Sequence, residues 1–309
     1  MTDLATRDAF GAALVALGRT HPNMFVIDCD IGKSMKTGDF AAQFPERHIN
    51  VGIAEQNAAG IAAGLAACGK IPVISTYAVF GSMRMLEQVR TSICYPGLHV
   101  VLACGHGGLT PSNDGVTHQA IEDMGIYRTI PNMSVLMPAD YASTLRLMGK
   151  AVDAPGPVYI RFTRDAFPIY YDEKESFEIG KAKIIKKGSA LTLISCGELL
   201  RETLRAAEVL ESKFGSIGIV DMHTIKPLDI ACVKECLKMS PNIVTVEDHS
   251  IINGLGSAVA EVIANEGYGK LRCIGLRDTF AESGRYAQLL EKYSMNENAI
   301  IKAAEELMV

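Results

Sequence analysis

Most of the sequence features that would fix a protein's chemistry at once are missing here. No stretch approaches the ~18 uninterrupted apolar residues of a membrane-spanning helix; the longest small-apolar run, 58–68, stops at Gly69-Lys70. The charge balance is not basic. A formal net charge of −5 and a pI of about 5.8 exclude a strongly basic nucleic-acid footprint. The first ten residues carry Asp3 and Asp8 and no basic segment leading into an apolar one, so they do not read as a secretory signal. None of the eight cysteines belongs to a CxxC pair; Cys232 and Cys236 stand four apart. They read as buried, reduced thiols of a cytoplasmic protein. His106 and His118, twelve apart, have no HExxH or CxxC companion, so no metal is expected on this chain. Neither GxxxxGK[ST] nor GxSxG occurs, which removes a phosphate-cradling P-loop and a nucleophile elbow.

What is present is rhythm. The chain has 309 residues, 48% of them hydrophobic, enough for two domains of ordinary size. Short apolar runs of buried-strand type at 24–28, 71–75, 100–103, 134–137 and 158–162 alternate with helical spacing over 55–68, 82–94 and 141–152. An opening helix, with Asp3 as its cap, would carry Phe10, Leu14 and Leu17 on its apolar face. The alternation breaks over the charged segment 166–187 and resumes with strands at 191–195, 216–221, 243–247 and 272–275, and helices over 199–213 and 254–265. The fold class expected is α/β, two domains over 1–165 and 188–309 joined by a linker over 166–187. Each would be a mainly parallel sheet covered by helices.

In such sheets ligands gather beyond the C-terminal ends of the strands. DCDIGKS (28–34), STYAVFGS (75–82), CGHGGLTPSNDGVTHQ (104–119) and RFTR (161–164) all follow expected strands, and INVGIAEQN (49–57) leads into a helix. Taken alone, Glu55 is equally well an acid favoured at a helix N-terminus. Gly60 and Gly64 behind it read as close-packing positions, and Tyr77 and Phe80 as ordinary core aromatics. Two histidines, an Asp-Gly and three further glycines in one loop are harder to treat as mere connection.

INVGIAEQNAAGIAAGLAACG, STYAVFGSMRMLEQVR, GHGGLTPSNDGVTHQAIEDMGIYRTIPNMSVLMPAD and GPVYIRFTR, in that order and spacing, resemble the transketolase family. The likeness is to the separate C-terminal subunit found where the enzyme is encoded in two pieces. It covers nearly the whole chain and is densest over 48–164. The resemblance implies thiamine diphosphate as cofactor, with a thiamine-diphosphate pyrimidine-binding domain followed by a transketolase C-terminal-like domain. Glu55 matches the glutamate that hydrogen-bonds the aminopyrimidine N1' and so promotes loss of the thiazolium C2 proton. Tyr77 and Phe80 match aromatic positions around the pyrimidine. Asp114 and His118 match residues that contact the ketose, and His106 one near the donor carbonyl, with His106 and His118 handling hydroxyl protons. Ser34 and Arg164 match residues that grip a sugar phosphate; Arg161, further back along a strand, is expected beside Arg164 as a bidentate donor. Met83 departs from the family, many members of which carry a third aromatic there. VEDHSIINGLGSAVAE (246–261) and DTFAESG (278–284) extend the likeness into the second domain, where Asp248-His249 reads as a helix-entry or interface pair.

A motif missing from the chain carries information too. The family holds the diphosphate through a divalent cation, magnesium or calcium, on a GDG motif with a downstream asparagine, and this chain has no GDG. The resemblance therefore implies an N-terminal partner subunit that carries the metal site, sugar-phosphate substrates, and an assembly with two copies of each chain. It also implies transfer of a two-carbon ketol unit from a ketose phosphate to an aldose, as in the pentose phosphate pathway or a specialised sugar route. Three readings remain beside it: the β subunit of a 2-oxoacid dehydrogenase, a deoxyxylulose-phosphate-synthase-like enzyme, and a non-catalytic scaffolding subunit.

Overall fold

The computed structural model describes residues 3–172 and 174–308. The chain enters as a two-residue strand, β1 (Leu4–Ala5), and passes directly into the helix Thr6–Thr20. Ala5 is the residue before the first turn, with no side-chain cap. Asp3 is exposed and lies ahead of β1, too far out to cap, so the expectation placed on it fails. The apolar face does form: Phe10 and Leu14 are buried and Leu17 packs against the same cluster.

Seven strands make the first sheet. They are β2 (Met24–Asp28), β3 (His48–Asn50), β4 (Ile71–Tyr77), β5 (Val101–Gly105), β6 (Ser134–Leu136), β7 (Val158–Arg161) and a late arrival, Thr224–Lys226. Across the sheet the order is Thr224–Lys226, β6, β7, β5, β4, β2, β3. All neighbours are parallel except the late strand, which pairs antiparallel with β6. Neighbouring residues on a strand face opposite ways, and both faces are covered. Ile27, Ile74, Leu102 and Tyr159 lie in one apolar cluster, while Val26, Val73, Val101 and Ile160 lie in the other. That explains why these strands read as continuous apolar runs rather than as alternating ones.

Residues 166–187 are more than a tether. The strand β8 (Ala166–Phe167) pairs back on β1, and β9 (Lys183–Lys186) joins the second sheet antiparallel beside β11 (Ile217–Asp221). With β10 (Leu191–Ser195), β13 (Asn242–Ser250) and β14 (Lys270–Leu276), counting Thr224–Lys226 as β12, that sheet runs β14-β13-β10-β11-β9. Its three pairs of neighbours down to β11 are parallel. The second domain thus begins inside the expected linker and lends β12 to the first sheet's edge.

The parallel strands β2, β3, β4, β5 and β7 all deliver their C-terminal ends to one edge of the first sheet. Residues 29–37, 51–55, 78–83, 106–119 and 162–165 gather there.

Candidate active site

Glu55 opens the helix Glu55–Ala67. The acid sits where the unpaired N–H groups of the first turn favour a negative charge, yet its side chain is only 4% exposed. The expectation for Gly60 and Gly64 fails. A Cβ at either would meet nothing within 4 Å, and both face outward with Asn57, so they pack against nothing in this chain.

Tyr77 ends β4 and Phe80 lies in the short helix Ala78–Met83, their ring centroids 5.9 Å apart. The helical spacing expected over 82–94 is realised instead as that short helix, a break at Arg84-Met85, and two further turns. The break turns Met83 and Arg84 out along the cleft beside Glu55, a cleft also lined by Ile53, Ala54, Gln56 and Asn57.

His106 follows β5 with φ +60, a backbone state that non-glycine residues adopt sparingly and that marks constrained sites. It is 2% exposed, its ring centroid stands 4.1 Å from that of Tyr77, and its Nδ1 is buried with no partner. Burial, helped by the nearby positive charges of Arg7 and Arg164, pushes its pKa down to about 3. The ring is therefore neutral at physiological pH and keeps one nitrogen as acceptor and one as donor. His118 is half-buried and meets Phe80 edge-on at 5.4 Å and Tyr77 at 6.0 Å. Tyr77, Phe80, His106 and His118 thus belong to one continuous group, and Arg84, which contacts both Phe80 and Glu55, joins Glu55 to it.

At its far side Arg164 donates to Asp114 at 2.8 Å and to the Pro111 carbonyl at 3.0 Å. The residues expected to meet the phosphate and a hydroxyl are thereby brought together and paired with each other. Sequence reasoning missed Arg7. It lies in the first turn of the opening helix, donates to the backbone carbonyl of half-buried Ser34 at 3.3 Å, and has a buried Nε with no partner. Its charge bears on His106 together with that of Arg164. An arginine one turn into an amphipathic helix gives no local signal; β1 pairing with β8 carries it there. Asp28 supports Ser34's loop from below, accepting from Thr37 Oγ1 and from the Ile31 N–H.

Arg161 requires a correction. It is fully buried, 3.0 Å from Asp123 through Nη1, and Nη2 donates to the Asp248 carbonyl at 2.9 Å. Side chains alternate along a strand, but Arg161 is the last residue of β7 and Arg164 lies three positions on, outside it, so the two do not share a strand face. Arg161 ties the domains together and has no face for a ligand. Asp248 takes the interface role expected of it: both carboxylate oxygens accept from Leu109 N–H, at 3.0 and 2.9 Å, and one accepts from Tyr286 Oη. His249 accepts from the Gly125 N–H across the same interface. Helix entry falls to neighbouring Glu247, which accepts from the N–H groups of Leu255 and Gly256. Among the described residues no group of three or more His, Cys, Asp or Glu is placed to hold a metal ion, and no helix is long and apolar enough to cross a membrane.

The residues present suit an aromatic, nitrogen-containing ring. Glu55 is a buried carboxylate joined to an aromatic face, that of Phe80, by a flat cation, the Arg84 guanidinium. Comparison with known proteins agrees with that chemistry. Residues 2–169 match the family description "Transketolase, pyrimidine binding domain" and residues 180–300 "Transketolase, C-terminal domain". A protein of Methanocaldococcus jannaschii described as a transketolase C-terminal section is 45% identical, over 98% of this chain and 96% of its own. A 6-deoxy-6-sulfo-D-fructose transketolase subunit of a Clostridium species is 35% identical, over 97% and 94%. A solved structure described as a split gene transketolase, inactive beta4 tetramer, superposes with a TM-score of 0.91 at 42% identity, covering 99% of each chain.

Proposed function

The chain belongs to the transketolase family, as a C-terminal subunit of the split type, and from that premise we propose that it transfers a two-carbon ketol unit from a ketose phosphate to an aldose. The observation that carries this reading is the ring cluster of Tyr77, Phe80, His106 and His118, joined through Arg84 to Glu55, with Arg7, Arg164 and Ser34 on its far side.

Thiamine diphosphate, when bound, supplies the electron sink that lets a carbon–carbon bond beside a carbonyl break and form. Glu55 would hold the aminopyrimidine by a hydrogen bond at its ring nitrogen. Phe80 and Tyr77 would cover the ring's face and exclude water. His106, neutral and with an unpartnered nitrogen already in the site, accepts or donates a proton at a substrate hydroxyl without first having to lose a charge. His118 does the same from the open side, and Asp114 orients a hydroxyl. Arg164 and Arg7 bring two positive charges to the far end, where Arg164 would exchange Asp114 for a phosphate or other terminal anion.

The diphosphate and its divalent cation would be held by an N-terminal partner subunit, since this chain has no GDG. Ile53 and Met83 beside the cleft are large, apolar and exposed, and the helix Glu55–Ala67 turns a small-residue face outward. Both features support burial of this edge in an assembly of two copies of each chain. The test is reconstitution with that partner. Glu55→Ala should abolish ketol transfer while assembly, followed by sedimentation, survives. Near-normal turnover in the variant would end the proposal.

A further inference from the structure

Arg84 sits at the break after the helix Ala78–Met83 and reaches across the cleft. Its Nη1 is 3.2 and 3.4 Å from the two oxygens of Glu55, and its Cζ stands 3.8 Å from the Phe80 ring centroid. Both contacts are made by one guanidinium at once. A guanidinium is flat, donates N–H groups in its plane and stacks through its face. An aminopyrimidine would offer Glu55 and Phe80 the same two things, an in-plane hydrogen-bonding nitrogen and a flat face. At van der Waals distance over Phe80, the two groups exclude one another.

We propose that Arg84 is a placeholder for the cofactor's aminopyrimidine: it fills the seat between Glu55 and Phe80 in the partner-free chain and must swing out before the ring can enter. This rests on the reading of the cleft as a thiamine-diphosphate site. The asymmetry of exposure supports it, for the Glu55 side chain is 4% exposed whereas that of Arg84 is 46% exposed. The carboxylate is fixed and the cation is mobile in the sense that matters, with a long stem and open solvent behind it. A buried carboxylate left without a partner is costly, so Arg84 stabilises Glu55 where it lies. The same contact then opposes the cofactor, because the ion pair and the stacking contact must both be lost on entry. The exit route lies over the exposed rim of Ile53 and Met83, so cofactor entry and partner docking would act on the same side chain.

The test is titration of thiamine diphosphate with magnesium into the complex of this chain and its N-terminal partner, read by calorimetry as a dissociation constant rather than by activity. Arg84→Met keeps the length of the stem and removes the guanidinium. It should bind the cofactor roughly three- to tenfold more tightly, the range expected for losing one solvent-exposed ion pair and one cation–π contact. Arg84→Lys keeps the charge and lacks the flat face. It should gain by a smaller factor, and it covers the case in which Arg84→Met fails to join the partner. Equal or weaker binding by the variants overturns the placeholder while leaving the site assignment standing. A wild-type complex that binds no thiamine diphosphate overturns both.

Discussion

Arg161→Met separates two roles that sequence spacing had merged. Both Arg161 and Asp123 are 0% exposed, and their contact at 3.0 Å is charge-assisted. The guanidinium also supplies donors to the carbonyls of Asp248 and Ala120 and to Met137 Sδ. Methionine fills much of the same volume and supplies none of these, leaving Asp123 buried and ionised with Tyr159 Oη as its remaining donor. Breaking one side of a buried pair costs about 3–5 kcal/mol. The Tyr159 bond offsets part of that, and the two carbonyls left without donors add to it. The expected loss at pH 7 is therefore about 3–5 kcal/mol, read from urea unfolding with the transitions of both domains followed. A second substitution refines the test. Arg161→Met with Asp123→Asn puts a neutral acceptor opposite Tyr159 and should recover roughly 2 kcal/mol, because the uncompensated charge is gone. If Arg161→Met costs under about 1 kcal/mol and instead weakens substrate binding, the interdomain assignment is wrong and the phosphate role returns.

Two other substitutions probe the loop that carries the histidines. Gly108 has φ +58, and a Cβ there would lie 2.3 Å from the Asp248 carboxyl carbon. Gly108→Ala should thus cost more than about 2 kcal/mol in thermal or urea unfolding, and a shift within error would show that the loop relaxes freely. His106 is held neutral, with its pKa near 3 against an ordinary 6.5. Between those values the unfolded chain binds the proton that the folded chain refuses, so stability falls as pH drops from 6.5 towards 3. His106→Asn tolerates the positive φ and removes this contribution, flattening the acid limb by up to ~1.4 kcal/mol per pH unit. Urea midpoints at several pH values between 4 and 7 check it; parallel curves for variant and wild type would contradict the burial of a neutral imidazole.

What could be read in advance divides along physical lines. Strands β2, β4, β5 and β7 announced themselves because a sheet covered on both faces demands uninterrupted apolar runs, and the residues that follow them landed at one edge as parallel pairing requires. Glu55, His106 and His118 were legible through the family resemblance, and of the three only His106 directly follows one of those strands. Whatever depended on contact between distant segments was hidden. Arg7 enters the site only because β1 pairs with β8, more than 160 positions later in the chain. Arg161 looked like a ligand until the second domain supplied Asp248 opposite it. Gly60 and Gly64 looked like packing positions because the sequence does not say that their helix face is left open. The boundary placed at 187 failed for a related reason: a short charged strand such as β9, three of its four residues exposed, has neither the length nor the alternation of a core strand, and its pairing with β11 is what makes it one.

The second domain, which contributes none of the residues assigned to the cofactor, is nonetheless built into the site. His106 heads a loop whose outer side is held almost entirely by that domain. Asp248 takes the Leu109 N–H three residues on, the Gly284 N–H donates to the Ser112 carbonyl at 3.4 Å, and Gln119 donates to the Glu282 carbonyl at 3.2 Å. Gly108 and Gly115 both have positive φ and lie so close to Asp248 and Ser283 that a Cβ would fall 2.3 and 2.4 Å from their side chains. The strained backbone at His106 is stable on these terms, since a residue held away from its preferred φ persists when its surroundings over-determine it. Remove the second domain, and the loop loses the acceptors and the wall that fix its shape, while Glu55 and Phe80, anchored in the first sheet and its helices, would stay where they are. The division of labour follows from topology: the first sheet places the groups that would face the cofactor, and the packing of the second domain against residues 106–119 places the groups that would face the sugar.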